Sequence, residues 1–544
     1  MNENTLFDYI VIGGGAAGCV VASRLSEDAD ISVCLLEAGG RDSNPLVHMP
    51  AGMAAMVPTA INNWQYQTVP QVGLNGRVGY QPRGKTLGGS SSINAMAYHR
   101  GHPEDFNTWA ALGNPGWSYQ DVLPYFKRAE HNEVFNDQFH GQNGPLNVRF
   151  HTSPNPFVEK FLEAGLQAGY PHCADPNGAT MEGFSRVQVM QKDGQRCSAA
   201  RAYLTPNLAR KNLRIETHAH ATRILFEGKR AVGVEFIQGG VKRELRARLE
   251  VIVSSGAFNS PQLLLLSGIG PAAELQKHGI EVIHELPGVG KNLVDHIDYV
   301  HSYRIKSRAL IGLSVLGIWD LVKATFSYFR NRTGRLTTNF AEACAFVKTS
   351  PELSQPDIEL AQTIVMFANH GRTLYRGHGQ SVHACLLYPK SVGQVTLASA
   401  DPMAPPLIDP AFLTHPDDVA TLIKGFKIIR KVMSTPVFRA LDPRDVLNAP
   451  METDAEIEQT LRNRADTLYH PVGTCKMGSD PMAVVDARLS VHGIEGLRVA
   501  DASIMPTIVG CSTTAATVMI GEKAADFIRE DRAAQSSNTL GKAL

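Results

Sequence analysis

The chain has 544 residues, 43% of them hydrophobic, with 52 Lys and Arg against 52 Asp and Glu. That length exceeds one ordinary compact domain and is enough to bury large cores, so two intertwined domains are expected. Balanced charge leaves no net field to draw nucleic acid or an anionic membrane over the whole surface, which argues against a polyanion binder and for an enzyme of small molecules. The eight cysteines are scattered without a C-x-x-C pair or the dense spacing of a disulfide framework, and read as reduced core thiols. Met1 leads through the polar Asn2-Glu3-Asn4 straight into an apolar strand pattern, with no basic stretch and no small-residue cleavage site, so a cytoplasmic protein is expected. No metal site is expected, because no cluster of His, Asp, Glu or Cys has ligand spacing.

The first predicted element is the strand Phe7-Asp8-Tyr9-Ile10-Val11-Ile12, followed at once by Gly13-Gly14-Gly15-Ala16-Ala17-Gly18. Residues 19–25 have helical composition, and Ile31-Ser32-Val33-Cys34-Leu35-Leu36 is a second strand that ends on Glu37. This βαβ unit is a dinucleotide site: Gly13 permits the tight turn, Gly15 lets a pyrophosphate approach the backbone, and Gly18 lets helix and sheet pack closely. The helix N-terminus turns its partial positive charge toward the phosphates, and Glu37 stands where a carboxylate accepts both ribose hydroxyls. FAD and NAD both remain open at this unit.

Further along, Arg83-Gly84-Lys85-Thr86-Leu87-Gly88-Gly89-Ser90-Ser91-Ser92-Ile93-Asn94 is a second glycine-rich stretch, and its small residues suit the close passage of backbone along a cofactor. The apolar run over residues 309–319 stops at Asp320 and Lys323, short of the roughly 20 residues that a membrane helix needs. No spanning segment is expected, while peripheral membrane contact remains open. Residues 309–329 read as a lid, a membrane-touching surface or a packing surface between domains, with packing preferred. Residues 382–410 read as strand, turn, strand. The chain after Arg532 reads as a frayed tail.

The stretch from Arg83 to Asn94, continued by Arg100-Gly101, resembles the first signature of the glucose-methanol-choline (GMC) oxidoreductase family. Gly256-Ala257-Phe258-Asn259-Ser260-Pro261-Gln262-Leu263-Leu264-Leu265-Leu266-Ser267-Gly268-Ile269-Gly270 resembles its second. The likeness continues through Pro287-Gly288-Val289-Gly290-Lys291-Asn292-Leu293, Tyr469-His470-Pro471-Val472-Gly473-Thr474-Cys475 and Asp501-Ala502-Ser503-Ile504-Met505-Pro506, and so spans nearly the whole chain. Within the family it is greatest to bacterial FAD-dependent alcohol, choline and sorbose dehydrogenases.

The resemblance implies an α/β, Rossmann-like FAD-binding domain joined to an α+β substrate domain built on an antiparallel sheet. The first would comprise residues 1–155, 208–305 and 464–530, the second residues 156–207 and 306–463, with a tail over 531–544. It places Gly13, Gly15, Gly18, Glu37, Arg83, Gly88, Gly89, Ser91, Asn94, Ala221, Asp501 and Ala502 at the cofactor, Ala221 through its backbone beside the adenine. Some choline-oxidising members attach FAD through a His where this chain has Ile93; isoleucine has no nucleophilic atom, so noncovalent FAD is implied.

The activity implied is oxidation of a primary alcohol or polyol to an aldehyde or ketone by hydride transfer to flavin N5, with electrons passed to a quinone or other acceptor and with neither nucleic acid nor metal as a partner. His470 would be the base, since its ordinary pKa near 6.5 leaves it largely neutral. The second catalytic position, usually Asn or His, is Thr514 here, and Ser512 stands where a further Asn is common. Threonine offers one hydroxyl where Asn offers an amide, which keeps open a non-redox flavoprotein of the same fold, a lyase or a decarboxylase. A cytoplasmic enzyme, at most peripheral to the inner membrane, is expected.

Overall fold

The computed structural model describes residues 5–447 and 451–542, with side chains as far as residue 535. Its first unit is β1 (Leu6–Ile12), α1 (Ala16–Leu25) and β2 (Val33–Glu37). Tyr9, Ile10, Val11 and Ile12, like Val33 to Leu36, are all buried, as parallel strands covered on both faces require. After α2 (Tyr119–Ala129) and β3 (Gly183–Arg186), the strands β4 (Leu213–Thr217), β5 (Ala219–Glu227), β6 (Arg230–Gln238) and β7 (Val241–Val253) lead into α3 (Gly256–Leu266). The remaining elements used below are β8 (Ile297–Arg304), α4 (Val315–Asn331), β9 (Ala341–Val347), β10 (Ile358–Thr363), β11 (Gly377–Leu386), α5 (Pro416–Met433), β12 (Leu497–Val499) and α6 (Thr514–Lys542).

Two sheets organise the chain. The first has the order β4-β2-β1-β7-β6-β5, with β12 beside β7. Its β4, β2, β1, β7 and β12 run parallel, while β5, β6 and β7 form an antiparallel meander. The long β7 belongs to both parts: its first half pairs with β6, and Val251, Ile252 and Val253 lie between β1 and β12.

The second sheet is antiparallel, in the order β8-β11-β10-β9-β3. Side chains alternate faces along each strand. Ile358 and Leu360, with Val382, Ala384 and Leu386, share an apolar cluster with Leu422, Phe426 and Ile429 of α5. The intervening Glu359, Ala361 and His383 line a cavity on the other side of the sheet.

Three expectations need correction. The boundary at residue 305 falls too late: β8 pairs with β11, and Asp466–Thr467, from a piece expected in the FAD-binding domain, pairs with β8. The packing reading of residues 309–329 holds only in part: Ala324 and Tyr328 of α4 are buried beside Ala51 and Leu336, while Val315, Trp319 and Phe326 are 75%, 61% and 71% exposed. The expected tail continues α6 through Lys542, residues 543–544 lying outside the described ones. Residues 382–410 hold the end of β11 and then a separate two-stranded ladder of Gln394–Thr396 with Leu407–Asp409. Among the described residues no helix is long and apolar enough to cross a membrane.

The last helix is fastened to the first by an ionic knot. Glu522 of α6, fully buried, accepts from Arg24 of α1 (2.8 and 2.9 Å), from Arg128 Nε of α2 (2.8 Å) and from the Tyr203 hydroxyl (2.7 Å). Removing one partner of a buried pair strands the others without compensation. Because a third of the Arg128 side chain is in water (34%), the low end of the usual range applies, about 3 kcal/mol for Glu522→Ala. Calorimetry of the holoprotein is expected to show a lower melting midpoint for Glu522→Ala; an unchanged midpoint would contradict the assignment.

Candidate active site

Between the two sheets lies a cavity of about 1520 Å³. Gly13, Gly15, Glu37, Arg83, Gly89, Ser91, Asn94, Ala221, His470, Asp501, Ala502 and Thr514 line it; Gly18 and Gly88 do not. The glycines explain this division. A Cβ on Gly13 (φ +103°) would sit 2.5 Å from the Ser254 carbonyl oxygen, and one on Gly18 would sit 1.9 Å from that of Gly13, so both permit backbone to pass backbone. A Cβ on Gly15 meets only the Ser254 oxygen, at 3.6 Å, and otherwise points into open space. Gly88 donates its N–H to the Gly14 carbonyl (2.7 Å), which clamps the second glycine-rich loop onto the first.

These residues fit a dinucleotide. Gly15 is the N-cap of α1 and has no side-chain cap, so the first-turn N–H groups open toward the cavity unclaimed by a side chain. Glu37 is buried, and burial pushes its carboxyl up to about 7; Oε2 accepts from Gly14 N (2.9 Å) and Oε1 from Gly39 N (2.7 Å). Each oxygen keeps a second lone pair for a ribose hydroxyl.

Several residues predicted at the cofactor also hold the walls of the cavity together. The Ser91 hydroxyl donates to Gly88 O (2.6 Å) and accepts from Ala199 N (3.0 Å), so it locks the loop. Asp501 accepts from Gly256 N (2.8 Å), Ser260 Oγ (2.5 Å) and Ser503 N (2.8 Å), tying β12 to the start of α3. Arg83, which burial holds down to about 10, donates to the Tyr469 carbonyl (2.8 Å) and steadies the His470 loop. Ala221 borders the cavity where β5 bulges against β6. Ile93 is packed with Val47 and Met56.

At the other end of the cavity, Tyr469 takes the left-handed backbone conformation (φ +72°), strained for a bulky residue. Arg83 on its carbonyl, Thr467 Oγ1 on its N–H (2.7 Å) and His370 on its hydroxyl (2.8 Å) hold it there. His470 follows, its N–H bound to Asp295 Oδ1 (2.8 Å), and its Nδ1 lies 2.9 Å from Nδ1 of His296. Burial, then His296 and Arg83, hold the His470 imidazole well below its ordinary pKa; burial holds His296 down to about 4.

Two neutral imidazoles facing through Nδ1 need one donor and one acceptor, and Leu387 decides which is which. Its carbonyl lies 3.0 Å from His296 Nε2 and can only accept, so that nitrogen carries the hydrogen. His296 Nδ1 is then bare and accepts from His470 Nδ1–H. His470 Nε2 is left unprotonated, and among the described residues it has no protein partner.

Thr514, the first residue of α6, accepts from Asn94 Nδ2 (3.1 Å). Asn94 Oδ1 accepts from Met96 N (3.0 Å) and from Arg196 Nη1 (2.8 Å), so the amide is fixed from both ends. Since Thr514 Oγ1 is the acceptor, its hydroxyl hydrogen is free to donate; no protein acceptor for it occurs among the described residues.

His296, Asp295 and Arg196 are absent from the sequence prediction. The signal for the first two was the Asp295-His296 pair directly after Val294, just beyond the motif ending at Leu293. Arg196, a lone arginine far from any motif, carries no such signal.

Two family models, both described as GMC oxidoreductase, match residues 7–298 and 389–521. The alcohol dehydrogenase [acceptor] of Pseudomonas putida is 47% identical over 527 residues, 96% of each chain. An oxygen-dependent choline dehydrogenase of Rhizobium rhizogenes is 43% identical over 96% of this chain and 95% of its own. Among solved structures, pyridoxine 4-oxidase from Mesorbium loti superposes with a TM-score of 0.86 at 30% identity, covering 96% of this chain and 98% of that one. A formate oxidase from Aspergillus oryzae, studied for its FAD modification, gives 0.91 at 28% over 98% and 99%. The chain belongs to the GMC oxidoreductase family. It is an FAD-dependent oxidoreductase that acts on CH–OH donors.

The glycine geometry separates cofactor binding from folding. Gly15→Val is expected to fold, with an unchanged far-ultraviolet circular dichroism spectrum, yet to be purified with less than about a tenth of the wild-type flavin. Gly18→Ala is expected to lose both, since even a methyl group there meets a backbone oxygen and overpacking costs about 1–3 kcal/mol or more. Full flavin occupancy in Gly15→Val would show that the cofactor backbone does not pass this residue.

Proposed function

We propose that the enzyme takes a hydride from the carbinol carbon of a primary alcohol or polyol while His470 Nε2 takes the hydroxyl proton. The observation that carries this reading is the tautomer enforced from Leu387 through His296, which leaves the lone pair of His470 Nε2 as the basic site. FAD, when bound, supplies the hydride acceptor. Thr514 offers its free hydroxyl hydrogen to the substrate oxygen, one donor where an Asn would offer two. Asn94 positions that hydroxyl, and Arg196 positions Asn94. The dehydrogenases at 47% and 43% identity give the non-redox alternative no support.

The site divides between the sheets accordingly: residues 1–155, 208–296 and 464–530 hold the cofactor, except that Asp466–Thr467 and β8 serve the substrate side. The eight buried, free cysteines suit a reducing compartment and thus the cytoplasmic face. Helix α4 adds peripheral membrane contact. Its outer surface exposes Val315, Leu316, Trp319, Val322, Phe326 and Phe329, with Lys323 and Arg330 exposed beside them, the composition of a helix that lies in an anionic interface. Ile318, Leu321 and Thr325 of the same helix line the cavity, so a lipid-borne quinone arrives next to the site that must be reoxidised.

The base is tested by stopped-flow reduction of the bound flavin by alcohol. His470→Ala is expected to slow reduction by about 10²–10⁴. His296→Leu is expected to slow it at least about tenfold by releasing the tautomer, the usual scale for losing a partner that orients a functional histidine. A base whose pKa is depressed stays neutral as the pH falls through its ordinary value, so kcat/KM should stay flat from pH 8 through 6.5 and fall only at lower pH. Near-normal reduction in His470→Ala removes it from the mechanism. A falling limb centred at 6.5 would contradict its burial beside His296.

Membrane contact is tested by sedimentation with anionic phospholipid vesicles. The wild type is expected to sediment, and the Trp319→Ser, Phe326→Ser double variant to bind at least about tenfold more weakly, since burying one such side chain contributes roughly 1.5–3 kcal/mol. A wild type that stays in the supernatant at low salt overturns this part of the reading.

A further inference from the structure

On the substrate side of the second sheet, three ionisable side chains meet that the chemistry at His470 does not use. Asp298 of β8, Glu359 of β10 and His383 of β11 are all at least nine-tenths buried, and all three line the cavity. His383 Nδ1 lies 2.6 Å from Asp298 Oδ2. Among the described residues, Asp298 Oδ1, Glu359 Oε2 and His383 Nε2 have no hydrogen-bond partner. A buried polar group left unsatisfied is costly, and three at one spot mark a place built to be completed by a ligand.

The protonation states say what kind of ligand. Burial lowers the His383 imidazole, but the Asp298 carboxylate beside it more than reverses this, so His383 titrates above its ordinary value. Burial, then the Asp298 charge, pushes Glu359 up to about 8, so it carries its proton at neutral pH. The cluster is then a hydrogen-bonded His383–Asp298 pair with a protonated acid beside it. It offers a free acceptor, Asp298 Oδ1, a free ring nitrogen, His383 Nε2, and an acid oxygen that fills either role. A quaternary ammonium group has no hydrogen to give to any of the three atoms. An alkyl chain satisfies none of the three atoms. A hydroxyl group donates and accepts at once.

We infer that Asp298, His383 and Glu359 form a subsite for a second hydroxyl group of the substrate, so that diols and polyols are preferred over simple alkanols. This rests on the reading of His470 as the base. His470 lines the same cavity as all three residues, so a substrate whose reacting carbon sits at His470 can carry a second hydroxyl toward them.

The test compares n-butanol, butane-1,4-diol and choline as reductants of the holoenzyme's flavin, in the wild type and in Asp298→Asn and His383→Phe. The wild type is expected to show a kcat/KM for the diol at least about tenfold above that for butanol, and the ratio to fall toward one in both variants, Asp298→Asn exchanging the acid for an amide and His383→Phe deleting both ring nitrogens. Flavin content and melting midpoint check that the variants fold. Equal efficiencies for diol and butanol in the wild type, or a preference for choline, overturn the subsite. So does a diol preference that survives in both folded variants. Should no alcohol reduce the flavin, the reading of His470 fails instead. The subsite is then decided by the flavin absorbance change on titration with 2,5-dimethylhexane-2,5-diol against 2-methylhexan-2-ol, which have no carbinol hydrogen. Tighter binding of the tertiary diol is expected, and equal binding overturns the subsite.

Discussion

Backbone touches backbone where β1, α1 and the end of β7 converge, and everything else in the site is laid out from that contact. A side chain on Gly13 would strike Ser254, and one on Gly18 would strike Gly13, so the helix start and two strand ends are closer than any residue with a Cβ allows. Gly88 then hydrogen bonds to Gly14, and a Cβ on Gly89 would lie 2.8 Å from Gly15 Cα. Two glycine-rich segments some seventy residues apart in sequence thus form a single floor. Asp501 extends the floor by gripping Gly256 and Ser260, which brings Ala502 to the same cavity. The polar side chains that a sequence reader assigns to the ligand are largely spent on holding this floor in place.

That is why the cofactor half was so legible in the sequence. The glycines, the flanking apolar strands and Glu37 are local signals, and all of them sit where the pattern puts them. Ser91, Asp501 and Arg83 were marked by the same motifs, but their hydrogen bonds close onto Gly88, α3 and Tyr469. A motif records which residues are needed and is silent on whether the ligand or its scaffold needs them. The boundary at β8 was misplaced for a different reason. Ile297-Asp298-Tyr299-Val300-His301-Ser302 mixes polar with apolar residues, whereas Tyr9-Ile10-Val11-Ile12 and Val33-Cys34-Leu35-Leu36 are continuously apolar. The change of composition was present in the sequence and coincides with the change of sheet.

The catalytic half depends on contacts that no local pattern reveals. His470 stands in a recognisable loop, but the nitrogen it presents is set by His296, and His296 by the carbonyl of Leu387, more than ninety residues away in sequence. Two depressed imidazoles in contact avoid the repulsion that two charged ones would suffer, so burial and tautomer support one another. Helix α4 shows the converse limit. Its residues are apolar around most of the circumference, and only the structure shows that one side faces the cavity and the other faces outward.

The order of the strands has a bearing on how the protein comes into being. In the first sheet β7 lies between β1 and β12, and Thr514 reaches the cavity from a helix that opens even later in the chain. During synthesis the ribosome must add nearly 250 residues after β7 before β12 can pair with it, roughly 12–50 s at ordinary elongation rates. Throughout that interval the inner edge of β7 and the apolar flank of α1 await partners that do not yet exist. The cofactor therefore cannot be fully enclosed until translation is nearly over.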